Sequence, residues 1–162
     1  PDLVKFFING KAVTASEDES IWEVSKREGN FIPHLCHSNK LGYEADGNCR
    51  SCVVEIKGER ALAASCIRKP SNGMEVITNN DKVEKSQKLV LELLLSDQPE
   101  KEKSHNQKSH FWEILQTNQI SKTRFPKKDS KIVPSLDNSH PAMTVALDAC
   151  IQCGLCIRAC RD

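Results

Sequence analysis

The chain has 162 residues, enough for one ordinary domain or two small ones. Its 23 basic and 22 acidic side chains nearly cancel, which excludes the basic excess of a general nucleic-acid binder. The longest apolar stretch, Leu89 to Leu95, is interrupted by Glu92 and too short to span a bilayer, and no secretory signal opens the chain. Residues 3–8 predict a strand, Asn9-Gly10 a hairpin turn, and Lys11 to Thr14 the return strand. Ser20-Ile-Trp-Glu23 has the form of a capping box, and Gly29 closes the helix it starts. Pro33 opens a loop of about twenty residues that holds Cys36, Cys49 and Cys52, a length that is usually functional when it carries no structure of its own. Val53 to Ile56, Arg60 to Ala64 and Met74 to Thr78 read as further strands, with Lys57-Gly58 as a turn. After Asn80 the period changes: Val83, Val90, Leu93 and Leu94 recur at helical spacing and predict an amphipathic helix over 82–95. Glu100 to His110 is lysine-rich and reads as a solvated loop, Phe111 to Leu115 as a short helix, and 121–140 as irregular, broken by Pro126 and Pro134, with Pro141 beyond.

Eight cysteines mean either disulfides or metal ligands, and spacing decides between them. The last four stand too close together to staple a fold as independent disulfides, so thiolate–metal chemistry is the reading. Cys36, Cys49, Cys52 and Cys66, with gaps of twelve, two and thirteen residues, supply the four thiolates of one [2Fe–2S] centre. Gly42 and Gly47 allow the loop backbone to curl closely round an inorganic core. Zinc is the rival, but zinc knuckles come as two short pairs and only one is present, Cys49 with Cys52. His34 and His37 flank Cys36, find no vacancy in a four-cysteine set, and read as packing or surface residues; Arg50 reads as a surface cation. Cys150, Cys153, Cys156 and Cys160 form the C-x₂-C-x₂-C-x₃-C run of bacterial ferredoxins. In two-cluster ferredoxins the fourth cysteine of that run serves the other cluster. Cys150, Cys153 and Cys156 are therefore assigned to one [4Fe–4S] centre and Cys160 to a second, with the remaining ligands expected beyond Asp162. Pro1 in place of Met and an end two residues after Cys160 suggest a piece of a longer polypeptide.

Hairpin, helix, long loop and further strands are the order of a β-grasp ferredoxin. The expected fold is α+β: a [2Fe–2S] ferredoxin-like domain over 1–80, a helical linker region over 81–135, and over 136–162 the first part of a bacterial-type two-[4Fe–4S] ferredoxin domain. The pieces His34-Leu-Cys36, Gly47-Asn-Cys49-Arg-Ser-Cys52, Ala64-Ser-Cys66, Leu95-Ser96-Asp97, Asp137-Asn-Ser-His140-Pro141 and Leu147-Asp148 before the last run occur in one order. In that order they resemble the N-terminal part of the large iron–sulfur subunit of respiratory complex I. They are still more similar to the α subunit of cytoplasmic NAD-dependent formate dehydrogenase. That superfamily commonly has Asp-His-Pro and three cysteines after the long helix, which bind a further [4Fe–4S] cluster. Here the segment is Asp97-Gln98-Pro99, and no cysteine lies between Cys66 and Cys150, so that cluster is expected to be absent. Asp97-Gln98-Pro99 with Ser109-His-Phe-Trp112 resembles one group of formate dehydrogenases. The resemblance implies an electron-transfer segment of an oxidoreductase that oxidises formate to CO2 with NAD as acceptor. It also implies Mo or W held by a bis-pterin guanine dinucleotide in a downstream catalytic domain, and a β subunit carrying FMN and iron–sulfur clusters. The location expected is the cytoplasm, and no catalytic residue is assigned within this segment. Two alternatives stand beside it. One is a separate electron-transfer subunit of an NAD-reducing hydrogenase or complex I-like enzyme. The other, of a different class, is a zinc-stabilised interaction module.

Overall fold

The computed structural model describes residues 3–38, 42–127 and 134–161. Residues 39–41 of the long loop, 128–133 of the stretch expected to be irregular, and the terminal residues 1, 2 and 162 lie outside the described residues. Two compact units emerge, Pro1–Gln87 with Gly154–Asp162, and Lys88–Cys153.

The first unit is built on a five-stranded sheet of order β2-β1-β5-β3-β4. β1 (Val4–Ile8) and β2 (Lys11–Ala15) pair antiparallel with Phe6 opposite Val13, and Asn9 and Gly10 turn between them at φ of 50° and 82°. Two consecutive positive φ values are what a two-residue hairpin needs, which is why Asn-Gly stands there. Phe6 and Ile8 alternate with exposed neighbours and point into the core, as a period of two demands on a sheet with one buried face. β5 (Glu75–Ile77) lies parallel to β1 and antiparallel to β3 (Val53–Ile56). β4 is shorter than the strand expected at Arg60 to Ala64: only Ala63–Ala64 pair with β3. The turn after Ile56 runs on, with Glu59 N–H donating to the Ile56 carbonyl at 3.0 Å, so the return strand begins late.

α1 (Ile21–Arg27) packs its Ile21, Trp22 and Val24 into this core. The Ser20 hydroxyl accepts from Glu23 N–H at 3.3 Å and the Glu23 carboxylate accepts from Ser20 N–H at 2.8 Å, the reciprocal cap the spacing predicts. Two further N–H groups at the start of the helix leave it: Ile21 donates to the Arg68 carbonyl and Trp22 to that of Ser65, at 2.9 and 3.0 Å. The orphan donors of a helix N-terminus thus fasten the strip of chain around Cys66.

α2 (Asp81–Ser96) covers the helix expected over 82–95, but its inward stripe differs from the expected one. Val83, Gln87, Leu91 and Leu95 form a buried stripe, whereas Leu93 is 54% exposed. Four-residue spacing keeps those side chains on one side of the helix, and Gln87 is tolerated there because its amide donates to the Val53 carbonyl at 2.9 Å. In the second unit α3 (His110–Thr117) buries Phe111, Trp112, Ile114 and Leu115. Glu92, which breaks the apolar run in the sequence, is buried and accepts both arms of the Arg124 fork, at 2.6 and 2.9 Å. Part of the stretch expected to be irregular is a hairpin, β6 (Asp137–His140) with β7 (Met143–Val145), which Pro141 and Ala142 connect. All seven strand residues are exposed, so no alternation of burial marks them in the sequence. α4 (Leu155–Arg161) closes the described chain. Among the described residues no helix is long and apolar enough to cross a membrane.

Candidate functional site

Cys36, Cys52 and Cys66 are buried and Cys49 is half-buried. Each sits on a segment held by identifiable bonds. Trp22, 3% exposed, donates its indole N–H to the Ile32 carbonyl at 3.2 Å and so fixes the chain that leads to Cys36. His34 and His37 both pack on the Trp22 ring, with centroids 4.5 Å away, which matches their reading as packing residues. Cys49 and Cys52 are joined by a turn in which Arg50 adopts φ 57°, exposed to solvent, while buried Ser51 sets its hydroxyl 3.1 Å from the Cys49 sulfur. Cys52 leads straight into β3. Its carbonyl accepts from both the N–H and the hydroxyl of Ser65, at 3.2 and 2.7 Å, so the two short cysteine segments are latched together by one fully buried serine.

These holds place the four sulfurs as neighbours. Hydrogen bonds from the Cys49 and Cys66 thiols lower the pKa of Cys36 to about 2. Cys66 also donates to Cys52, which is lowered to about 7, and as donor to both it is itself pushed far up. Cys49 is pushed up by its bond to Cys36. The thiolate is the form in which cysteine binds a metal. Adjacency runs pair by pair, Cys49 with Cys36, Cys36 with Cys66, Cys66 with Cys52. Among the described residues no three His, Cys, Asp or Glu groups are arranged to hold one metal ion. The loop backbone fits a closely held inorganic core: Gly42 and Gly47 take φ of 87° and 68°, and a Cβ on Gly47 would stand 2.9 Å from the Ile67 Cδ1.

The second set stands differently. Cys150 and Cys153 lie in the second unit, exposed and half-buried, and the Cys150 sulfur accepts from Gln152 N–H at 3.4 Å. Cys156 and Cys160 are carried on α4 in the first unit, both exposed. Beyond Asp97-Gln98-Pro99 the second unit contains a cavity of about 650 Å³ whose apolar lining includes Pro99, Trp112, Leu115, Ile120 and Phe125, with no thiol or imidazole among the described residues. Ser65, Ser51, Trp22 and Gln87 shape the first site without having been singled out from the sequence. Their contribution is a hydrogen bond or a packing surface for a distant segment, for which a single sequence carries no local pattern. Arg158 belongs with them and could have been suspected, since it stands inside the last cysteine run.

Three comparisons bear on this arrangement. Residues 2–81 match the model of a 2Fe-2S iron-sulfur cluster binding domain. The chain is 30% identical to the G subunit of NADH-quinone oxidoreductase from Rickettsia typhi over 99% of its own length, and 29% identical to that from Rickettsia felis over the same share. It spans only 23% and 24% of those proteins. A chain in the crystal structure of an NAD+-reducing [NiFe]-hydrogenase in its H2-reduced state shares the fold with a TM-score of 0.80, at 24% identity, over 96% of this chain and 65% of that one. The fold is thus α+β and [2Fe–2S] ferredoxin-like, and residues 2–81 match the 2Fe-2S iron-sulfur cluster binding domain.

Proposed function

We propose that this chain relays electrons within a larger NAD-linked oxidoreductase, through a [2Fe–2S] cluster held by Cys36, Cys49, Cys52 and Cys66. The observation that carries the reading is the gathering of those four sulfurs, from segments up to thirty residues apart, by the Ser65 latch and the α1 N-terminus. Held by those four thiolates, such a cluster would supply transfer of one electron at a time. The protein's part is to supply thiolates, exclude water and set hydrogen bonds to the sulfurs. Cys150, Cys153 and Cys156 are assigned to a [4Fe–4S] centre and Cys160 to a second, and the functional division of the chain is 1–80, 81–135 and 136–162.

For the whole enzyme, the reading is an NAD-dependent formate dehydrogenase of the cytoplasm. In that enzyme Mo or W on a downstream domain would supply the redox centre for oxidation of formate to CO2, two electrons and a proton, and a β subunit with FMN would pass two electrons and a proton to NAD+. Asp97-Gln98-Pro99 and Ser109-His-Phe-Trp112 support it. The second reading is an electron-transfer subunit of an NAD-reducing hydrogenase or complex I-like enzyme. It is favoured by the relatives from NADH-quinone oxidoreductase and by the hydrogenase chain of like fold.

The test is low-temperature EPR of the reduced native complex, with iron, molybdenum, tungsten and zinc quantified on the same sample. A [2Fe–2S] signal that C52S abolishes, with [4Fe–4S] signals that C156S alters, supports the ligand assignment. Stoichiometric Mo or W with formate-dependent NADH formation supports formate dehydrogenase. Clusters without either metal, in protein purified with its cofactor-insertion machinery intact, favour the second reading. Zinc without iron overturns electron transfer and leaves the interaction module.

A further inference from the structure

α4 presents a contradiction in burial. Cys156, Ile157 and Cys160 are exposed, yet Arg158 between them is 1% exposed, the largest fully buried side chain among the described residues. A guanidinium is not buried without strong partners, because burial strips the water from its charge. Three partners of its side chain lie in the stretch from Cys36 to Cys49. One arm donates to the carbonyl of Cys36 and another to that of Glu44, and Nε stands 3.4 Å from the Asp46 carboxylate. Arg161, one turn further on α4, reaches the same carboxylate at 3.6 Å. The start of the helix is equally close: a Cβ on Gly154, where φ is +75°, would stand 3.2 Å from the Asn48 amide, next to Cys49.

We infer that Arg158, carried by the second cysteine run, is the positioning residue of the first: it pins the backbone of Cys36 and supplies a buried positive charge beside the [2Fe–2S] cluster. The inference rests on the cluster reading above. Only the planar fork of arginine can address two carbonyls and a carboxylate at once, and hydrogen bonds from a charged donor are about twice as strong as neutral ones. Charge has a second effect. A [2Fe–2S] core with four thiolates is a net anion that gains one more negative charge on reduction. A fixed cation nearby therefore favours the reduced form, and solvent exclusion prevents screening of that effect. Asp46 partly offsets it. Loop geometry at Cys36 and the midpoint potential of the cluster are thereby tied to the seating of α4, which carries two ligands of the other set.

The test is a redox titration of the [2Fe–2S] EPR signal in the intact complex, with iron release to a chelator timed on the same samples. R158Q removes cation and fork: the midpoint potential falls and iron is released several-fold faster. R158K keeps the charge and loses the fork, so iron release quickens while the potential stays nearer the wild-type value. D46N leaves Arg158 less neutralised and raises the potential. Opposite shifts in R158Q and D46N are the signature, because mere loosening of the fold would move both the same way. Should R158Q fail to accumulate, D46N alone decides, and a potential not raised in it overturns the inference. A wild-type complex with no [2Fe–2S] signal overturns the cluster reading and this inference with it. A normal wild-type signal that R158Q and D46N leave unmoved overturns the inference alone.

Discussion

Replacing Ser65 with alanine tests how the two short cysteine segments are held. The Ser65 hydroxyl is fully buried and donates to the Cys52 carbonyl at 2.7 Å. A buried carbonyl left with no donor costs about 1–3 kcal/mol, but this one keeps the Ser65 N–H at 3.2 Å, so no group is orphaned. The loss is therefore that of one net hydrogen bond, about 1 kcal/mol. For a chain of 162 residues that corresponds to a fall in Tm of roughly 2–4 °C. Cys52 and Cys66 flank the broken bond directly, so cluster retention responds more than global stability. Differential scanning calorimetry of the anaerobic holoprotein gives the first quantity, and the rate of bleaching of the visible iron–sulfur absorbance under a chelator gives the second. An unchanged bleaching rate in S65A, with Tm lowered as expected, would refute the claim that this serine organises the site; it would then be an ordinary core hydrogen bond.

Gly47→Ala is expected to destabilise by about 1–2 kcal/mol, the cost of a non-glycine residue at its φ of 68°. The Ile67 Cδ1, 2.9 Å from the added Cβ, is the end of a half-exposed flexible side chain and can move away, so I67A in the same chain should restore little, as chemical denaturation can check. The Arg124 guanidinium holds the Glu92 carboxyl below the usual carboxylate range. A carboxyl depressed in the folded state contributes stability that is present above its unfolded pKa, about 4.3, and is lost as pH falls through the folded value. E92Q is therefore less stable than wild type near neutrality, and the gap closes on acidification below about pH 4; a constant gap in denaturation midpoints down to pH 2.5 or so would count against the pair.

What the sequence determined by itself is local. The Asn9-Gly10 turn, the Ser20–Glu23 cap and the strand at Val53 to Ile56 rest on contacts a few residues apart and show in the residue pattern, and the expectation of two ligand sets rests on cysteine spacing. Chemistry of the metal class was legible for the same reason: thiolates at fixed short intervals have few other uses. The tertiary structure decided what depends on residues brought from afar. It turned Glu92 from an interruption of an apolar run into the buried half of an ion pair with an exposed Arg124, and put Gln87 instead of Leu93 on the inward side of α2. Ser65 became a latch and Arg158 a buried clamp 122 residues from the cysteine it holds. A polar side chain is stable inside only when its partner is also there. That partner is chosen by the fold of the chain, so the pairing leaves no periodicity or spacing in the sequence to read.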